Sequence, residues 1–208
     1  MGFYSENILP RLLDFACGVN AINKQREKIV PKASGDVLEI GIGSGLNLPW
    51  YDAANVSRIW GLEPSPAMRA RAMARYEEID CQIPLAFIDV PGEQLPLPDN
   101  SADTILMTYT LCTIPDPETA LDNMRRVLKP GGKLLFCEHA RAPDGSVSRW
   151  QDRLNRPWKR IAGGCHMNRE ITDILTDNGF SISQLDEMYV PGPKVLSFNV
   201  WGEAVIER

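Results

Sequence analysis

The sequence predicts an α/β fold: a doubly wound, mostly parallel seven-stranded sheet with an antiparallel strand near its C-terminal end. Three observations carry this expectation. Strand-length apolar runs alternate with helical periods from residue 36 onward, as repeated βαβ units require. The first run enters a glycine-rich turn, Gly41-Ile42-Gly43-Ser44-Gly45. Two strand-like runs close the chain, joined by Val190-Pro191-Gly192-Pro193, which adds an antiparallel member without another crossover helix.

Taken in order, Ile8, Leu12, Phe15, Val19 and Ile22 recur at helical spacing, so an amphipathic helix is expected over the first thirty residues, ending before Pro31. Such an extension, residues 1–31, packs either across the mouth of a ligand crevice as a lid or on an outer face. Strands are expected near 36–41, 57–63, 83–89, 103–109 and 133–138, with a helix near 66–79. The helix at 117–128 is legible in detail. Asp116 caps it, Pro117 suits its first turn, Leu121, Met124, Val127 and Leu128 form its buried stripe, and Lys129-Pro130-Gly131-Gly132 stops it. After Gly145 comes a helical stretch broken at Pro157, with Val147, Trp150, Leu154 and Ile161 on one face and Arg149, Arg153, Arg156, Lys159 and Arg160 elsewhere. A helix near 168–178 ends at Asn178-Gly179, and strands near 180–187 and 196–206 complete the sheet.

Composition narrows the function. A chain of 208 residues with 44% hydrophobic content fits one domain, 1–208, with a full core. A net charge of −5 leaves no global basic field for a nucleic-acid backbone, so small-molecule partners are favoured. The five cysteines, Cys17, Cys81, Cys112, Cys137 and Cys165, are odd in number and lack C-x-x-C spacing, which fits a reducing compartment and no metal site. Gly2, Glu6, Pro10, Arg11 and Asp14 interrupt the opening apolar residues, so neither a signal peptide nor a spanning run is expected, and the location expected is cytoplasmic. The basic, tryptophan-bearing stretch after Gly145 could rest on an anionic membrane, but a solvated face is the commoner explanation. Oligomeric state is not legible.

The glycine turn specifies a ligand class. Glycines at alternate positions let the backbone pass close to a ligand, and a helix is expected to follow with free N–H groups. A dinucleotide fingerprint would place glycine where Leu46 stands, so pyrophosphate is the weaker reading. Glu39, just before the turn, puts a carboxylate toward the ligand, which repels pyrophosphate and attracts an ammonium or sulfonium. S-adenosylmethionine (SAM) carries both. Glu63 ends the next apolar run, about 20 residues past the turn, where a carboxylate accepts from two ribose hydroxyls. The cofactor-binding candidates are Glu39, Gly41, Ile42, Gly43, Ser44, Gly45, Asn47, Glu63, Pro64 and Ser65. The plain alternative makes the glycines a structural turn and Glu63 the acid at a helix start.

With these residues the chain resembles the class I SAM-dependent methyltransferases, whose E-x-G-x-G-x-G pattern runs from Glu39 to Gly45. The segments Glu93–Asp103 and Arg125–Gly132 match the group that includes ubiquinone-pathway enzymes. Thr110-Leu111-Cys112, Cys137-Glu138-His139 and the stretch from Gly164 to Glu170 resemble the methyltransferase-like thiol S-methyltransferases. The resemblance implies a Rossmann-like fold, with adenine beside the loop after the third strand. Glu93 and Gln94 are the candidates there, and Pro91 stands where many relatives carry an acid. It also implies that Thr108, Tyr109 and Thr110 line the methionine end, and that residues 141–167 form an insertion on the acceptor side.

Methyl transfer from a sulfonium needs alignment more than a strong base. The two histidines, His139 and His166, are the catalytic candidates, each weighed against an ordinary structural histidine. Cys112, Trp158, Cys165 and Asn168 are candidates for the acceptor pocket, with core packing as the alternative. A small, apolar acceptor is expected, thiol sulfur first and a quinone-type, phenolic or lipid acceptor second. A SAM-binding module without catalysis is the rival class, and Leu46 disfavours a nicotinamide reductase.

Overall fold

The computed structural model describes residues 8–90 and 95–206. Seven strands, β1 (Gly35–Ile40), β2 (Val56–Leu62), β3 (Leu85–Ile88), β4 (Ala102–Thr108), β5 (Leu128–His139), β6 (Phe180–Tyr189) and β7 (Phe198–Ile206), form one sheet in the order β3-β2-β1-β4-β5-β7-β6. Strands β1 to β5 pair in parallel, and β7 runs antiparallel between β5 and β6. Strand order reverses between β1 and β4, and in open α/β sheets the ligand crevice lies beyond the carboxyl ends of strands at that point.

Alternating side chains send the central strands into two cores. Leu38, Ile105, Met107 and Phe136 pack with Leu121 and Met124 on one face, whereas Val37, Leu106, Leu135 and Cys137 pack with Ile29 and Ile59 on the other. Helix α4 (Pro117–Val127) follows the sequence reading: the Asp116 carboxylate accepts from Thr119 N–H at 3.1 Å, and Ala120, Leu121, Met124 and Val127 are buried. Each large apolar side chain so buried contributes about 1.5–3 kcal/mol. Helix α3 (Pro66–Glu78) is capped by Ser65, and α6 (Ile171–Asp177) ends before Gly179 in left-handed conformation.

The structure corrects several expectations. The opening helix is two, α1 (Leu9–Cys17) and α2 (Asn20–Ile29), because Gly18 and Val19 break the run and the Gly18 N–H closes α1 on Asp14 and Phe15. Its apolar stripe faces outward, with Phe15 76% exposed. The glycine turn is followed by a short 3-10 turn, Leu48–Trp50, rather than an α-helix, because Pro49 and an extended Tyr51 turn the chain inward. Strand β5 already begins at Leu128, with Pro130-Gly131-Gly132 carried as an irregularity in its pairing with β4.

Helix α5 (Gly145–Ile161) runs unbroken through Pro157, which lies on the exposed side with Arg153, so the carbonyl it deprives of a partner is left to water. The apolar face read from the sequence is mostly exposed: Trp150 is 53% and Ile161 54% accessible, and only Val147 of that set is buried. Gln151 anchors the helix instead, accepting from Ala142 N–H and donating to the Ala140 and Val195 carbonyls. One helical turn, α7 (Lys194–Ser197), delays β7 to Phe198. Among the described residues no helix is long and apolar enough to cross a membrane.

Candidate functional site

The glycine turn uses all three of its glycines. Gly41, Gly43 and Gly45 have φ of +69°, +58° and +76°, values that side chains rarely adopt. The Gly41 and Ile42 N–H groups donate to the Leu62 carbonyl, stitching the turn to the end of β2. A Cβ at Gly41 would lie 2.6 Å from Thr110, and one at Gly45 3.1 Å from Ala72 Cα. Gly43 is the open one, where the nearest side-chain atom, Met68 Cε, stands 3.5 Å off. Glu63 sits across from it. Its carboxylate accepts from Ser65 N–H at 2.8 Å and from the Gly43 backbone, while partial burial raises its pKa. Pro64, exposed, and Arg69, which donates to the Glu63 and Pro64 carbonyls, complete that corner.

Glu39 is buried, with both oxygens engaged by its own chain. Asn47 Nδ2 donates to Oε1 at 2.8 Å and Tyr51 Oη to Oε2 at 2.7 Å. Asn47 Nδ2 also reaches Thr108 Oγ1 at 2.9 Å, tying β1, the turn and β4 together. Burial pushes the Glu39 carboxyl up to about 7, against the pull of these two donors. Asn47 Oδ1 is buried without a partner.

The segment after β4 is clamped from two sides. Tyr109 has φ +56°, donates its N–H to the Cys137 carbonyl and its hydroxyl to Asn199 at 2.6 Å, and carries the Arg26 guanidinium 5.3 Å from its ring centre. The N–H groups of Thr110, Leu111 and Cys112 all point at the Glu138 carboxylate, at 2.8, 3.0 and 3.3 Å. Arg169 donates to the Leu111 and Ile114 carbonyls. Burial pushes Glu138 up to about 7 despite its three donors. Sequence reasoning assigned no role to Glu138, Arg169 or Tyr51. The available signal was Glu138 itself, a charge closing the apolar run Leu134-Leu135-Phe136-Cys137, since a buried carboxylate must find donors.

Beyond this clamp lies a sulfur-rich cluster. Cys165 Sγ is 3.6 Å from Cys112 Sγ and 4.0 Å from His139 Nδ1. His139 Nε2 and Trp158 Nε1 are buried without hydrogen-bond partners. Cys112 keeps its proton and shares it with Cys165, so the Cys165 pKa falls well below the usual thiol range, helped by His139 and by the nearby indole N–H. His166 joins only through its backbone, donating N–H to the Cys112 carbonyl at 2.9 Å. Asn168 lies apart, donating to Asp152, which is held bidentately by Arg141. Glu93 and Gln94 lie outside the described residues.

Helix α1 spans both ends of this arrangement. The Asp14 carboxylate accepts from Ser44 Oγ at 2.5 Å and pairs with Arg71 and Arg75 at 3.3 Å each, while Leu9 and Leu13 stand where a Cβ on Gly163 would meet them. An open cleft of about 390 Å³ beside it is lined by Asp14, Phe15, Leu46, Trp50 and Arg75, and includes neither Glu63 nor Cys165.

A methyltransferase-domain family matches residues 38–136, from β1 through β5. The chain is 34% identical over 176 residues to mouse thiol S-methyltransferase TMT1B, covering 79% of this chain and 70% of that protein. The chain belongs to the SAM-dependent methyltransferases. Human TMT1B is 35% identical over 76% of this chain and 66% of its own length, so the chain spans about two thirds of these relatives. A phosphatidylethanolamine N-methyltransferase of Cereibacter sphaeroides is 28% identical over 70% of this chain and 71% of its own. The chain solved with the Trm112 methyltransferase activator of Haloferax volcanii shares the fold, with a TM-score of 0.72 at 18% identity over 99% of this chain and 96% of that one.

SAM is the methyl donor of this family, and the residues fit it. The cradle at Gly43 has room only while no Cβ fills it, Glu63 stands one strand over, and the orphaned Asn47 Oδ1 is a spare acceptor in the turn.

Proposed function

We propose that this methyltransferase acts on a small, apolar acceptor through sulfur. The observation that carries the reading is the cluster of Cys112, Cys165, His139 and Trp158 just past the carboxyl ends of β4 and β5, where the buried ring nitrogen His139 Nε2 has no partner in the chain. A soft, weakly hydrated sulfur suits such surroundings better than a strongly hydrated oxygen or amine.

SAM supplies, when bound, a methyl group already activated on a sulfonium. What remains for the chain is alignment and exclusion of water, worth roughly 7–11 kcal/mol. In this reading Gly41, Ile42, Gly43, Ser44 and Gly45 present backbone to the cofactor, Glu63 takes the ribose hydroxyls with Pro64 and Ser65 shaping that corner, and Glu93 and Gln94 serve the adenine. Thr108, Tyr109 and Thr110 line the methionine end, Glu39 and Asn47 hold the turn in shape, and α1 covers the crevice as a lid. An acceptor thiol with a pKa of about 8.5 is mostly protonated at neutral pH, so a group that takes its proton raises reactivity. In this reading His139 takes that role. His166, held unprotonated by partial burial and by Arg169 and Lys159, is the second candidate.

A lipid-borne acceptor is the second reading. It is favoured by the outward apolar stripes of α1 and α5 and by the likeness to a phosphatidylethanolamine N-methyltransferase. An acceptor panel with methyl-labelled SAM separates the two. Label on simple alkyl thiols at ten or more times the rate on phenols or phosphatidylethanolamine vesicles supports sulfur. Label confined to phenol or lipid overturns it, and tight SAM binding with no transfer to any acceptor indicates a non-catalytic SAM-binding module.

A further inference from the structure

We propose that Cys165 and Cys112 form a peroxide-reactive thiol pair, in which Cys165 is the site of oxidation and Cys112 resolves it to an intramolecular disulfide. The sulfurs are 3.6 Å apart, and closing to a bond of about 2.05 Å asks for a small shift. Their backbones are already neighbours, because the His166 N–H donates to the Cys112 carbonyl at 2.9 Å. Glu138 and Arg169 fix the Cys112 side of this contact from both faces.

The roles of the two sulfurs follow from their surroundings. Cys165 is partly exposed on the Gly163-Gly164 turn, whereas Cys112 is 2% exposed, so an incoming peroxide meets Cys165 first. His139 Nδ1 at 4.0 Å and the nearby indole N–H of Trp158 favour an anionic sulfur there and can steady the departing oxygen. The other cysteines lack this setting. Cys137 is buried with its thiol pushed up to about 12, and burial also raises Cys17, which feels Cys165 electrostatically, whereas Cys112 is the sulfur in contact with Cys165. No group of three or more metal-ligating side chains occurs among the described residues, so the pair is not read as a metal site.

In the first step the Cys165 thiolate attacks one peroxide oxygen, the O–O bond breaks, and the second oxygen leaves as hydroxide and takes up a proton as water. Cys165 is then a sulfenic acid. In the second step the Cys112 sulfur attacks Cys165, the S–O bond breaks, and hydroxide leaves with the Cys112 proton as water. Two thiols and one hydrogen peroxide thus give one disulfide and two waters, the sulfurs losing two electrons and the peroxide gaining them. The disulfide would also tie the β4 loop to the α5–α6 turn across the acceptor side; that consequence rests on the acceptor reading above, while the thiol chemistry does not.

The test treats the purified full chain with one to three equivalents of hydrogen peroxide, blocks remaining thiols under denaturing conditions and maps all five cysteines by mass spectrometry. The expected result is a Cys112–Cys165 cross-linked peptide formed at least tenfold faster than any oxidation of Cys17 or Cys81. In Cys112→Ser the Cys165 sulfenic acid persists and is trapped by dimedone, and in Cys165→Ser Cys112 stays reduced. Oxidation of Cys165 no faster than Cys81, or its passage to sulfinic acid in the unmodified chain without a cross-link, overturns the proposal; that measurement needs no variant to fold. If the cross-link forms while methylation of an alkyl thiol continues unchanged, the thiol pair stands and the acceptor placement fails.

Discussion

Glu39 and Glu138 are carboxylates whose burial does opposite things to their usefulness and to the stability of the chain. Each gathers the groups that shape a loop, and each has a pKa raised to about 7. A raised carboxyl pKa means that the folded state keeps its proton at pH values where the unfolded chain has lost it. Stability is therefore full below about pH 4.5 and falls as pH rises toward 7, by at most about 3 kcal/mol for each group. Chemical denaturation from pH 7 to pH 5 should show the midpoint rising, and the combined Glu39→Gln and Glu138→Gln variant should flatten that rise. The lowered pKa of Cys165 opposes the trend over the same pH range and that of the partly exposed His166 does so weakly, the raised pKa of Glu63 adds to it, and Asp103 and Asp152 act only at lower pH, so the difference between the chain and the double variant is the readout. Gly41 and Gly131 make a second comparison. Both have positive φ, but a Cβ on Gly41 meets Thr110 and one on Gly131 meets nothing within 4 Å. Gly131→Ala should cost about 1 kcal/mol of stability with SAM affinity unchanged, whereas Gly41→Ala should add at least a tenfold loss of SAM affinity by calorimetry. The positions of the glycines in the turn and of Glu63 at the end of the next strand were legible because local spacing fixes them. Tyr51, Arg169 and the Glu138 clamp were not, since their partners lie on other elements.

At the level of elements, sequence reading succeeded where a segment carries its own signals, as α4 does with its acidic cap, leading proline and apolar stripe. It failed where burial is decided elsewhere. The stripes of α1 and α5 were legible as apolar faces but not what they pack against: the chain buries Gln151 and seats Leu9 and Leu13 near Gly163. The Asp14 ion pairs are partly exposed, so Asp14→Asn should cost no more than about 1 kcal/mol. Its expected signature is local: faster amide exchange across residues 9–17 with the global unfolding midpoint nearly unchanged. Where β6 bulges between Ile182 and Gln184, a Cβ on Gly202 of β7 would overlap the Gln184 carbonyl oxygen. Gly202→Ala should lower stability by about 1–3 kcal/mol or more, read by urea titration, because backbone rather than a flexible side chain must give way.

Across the whole molecule, the topology turns scattered residues into one place. The reversal between β1 and β4 brings Glu39, Glu63, Thr110 and Glu138 from four strand ends to a shared edge, and the strand count, parallel pairing and C-terminal antiparallel member were all legible from periodicity. The meeting of Cys112, His139 and Cys165 was not, because no periodicity reports contact between residues so far apart along the chain. One helix, α1, touches Ser44 at the donor turn and the Gly163 turn at the other end. Whatever free energy one ligand spends in shifting that helix must reappear, by thermodynamic reciprocity, in the affinity for the other. On the proposed placement of donor and acceptor, the two do not visit as strangers: the first to arrive sets the terms on which the second is admitted.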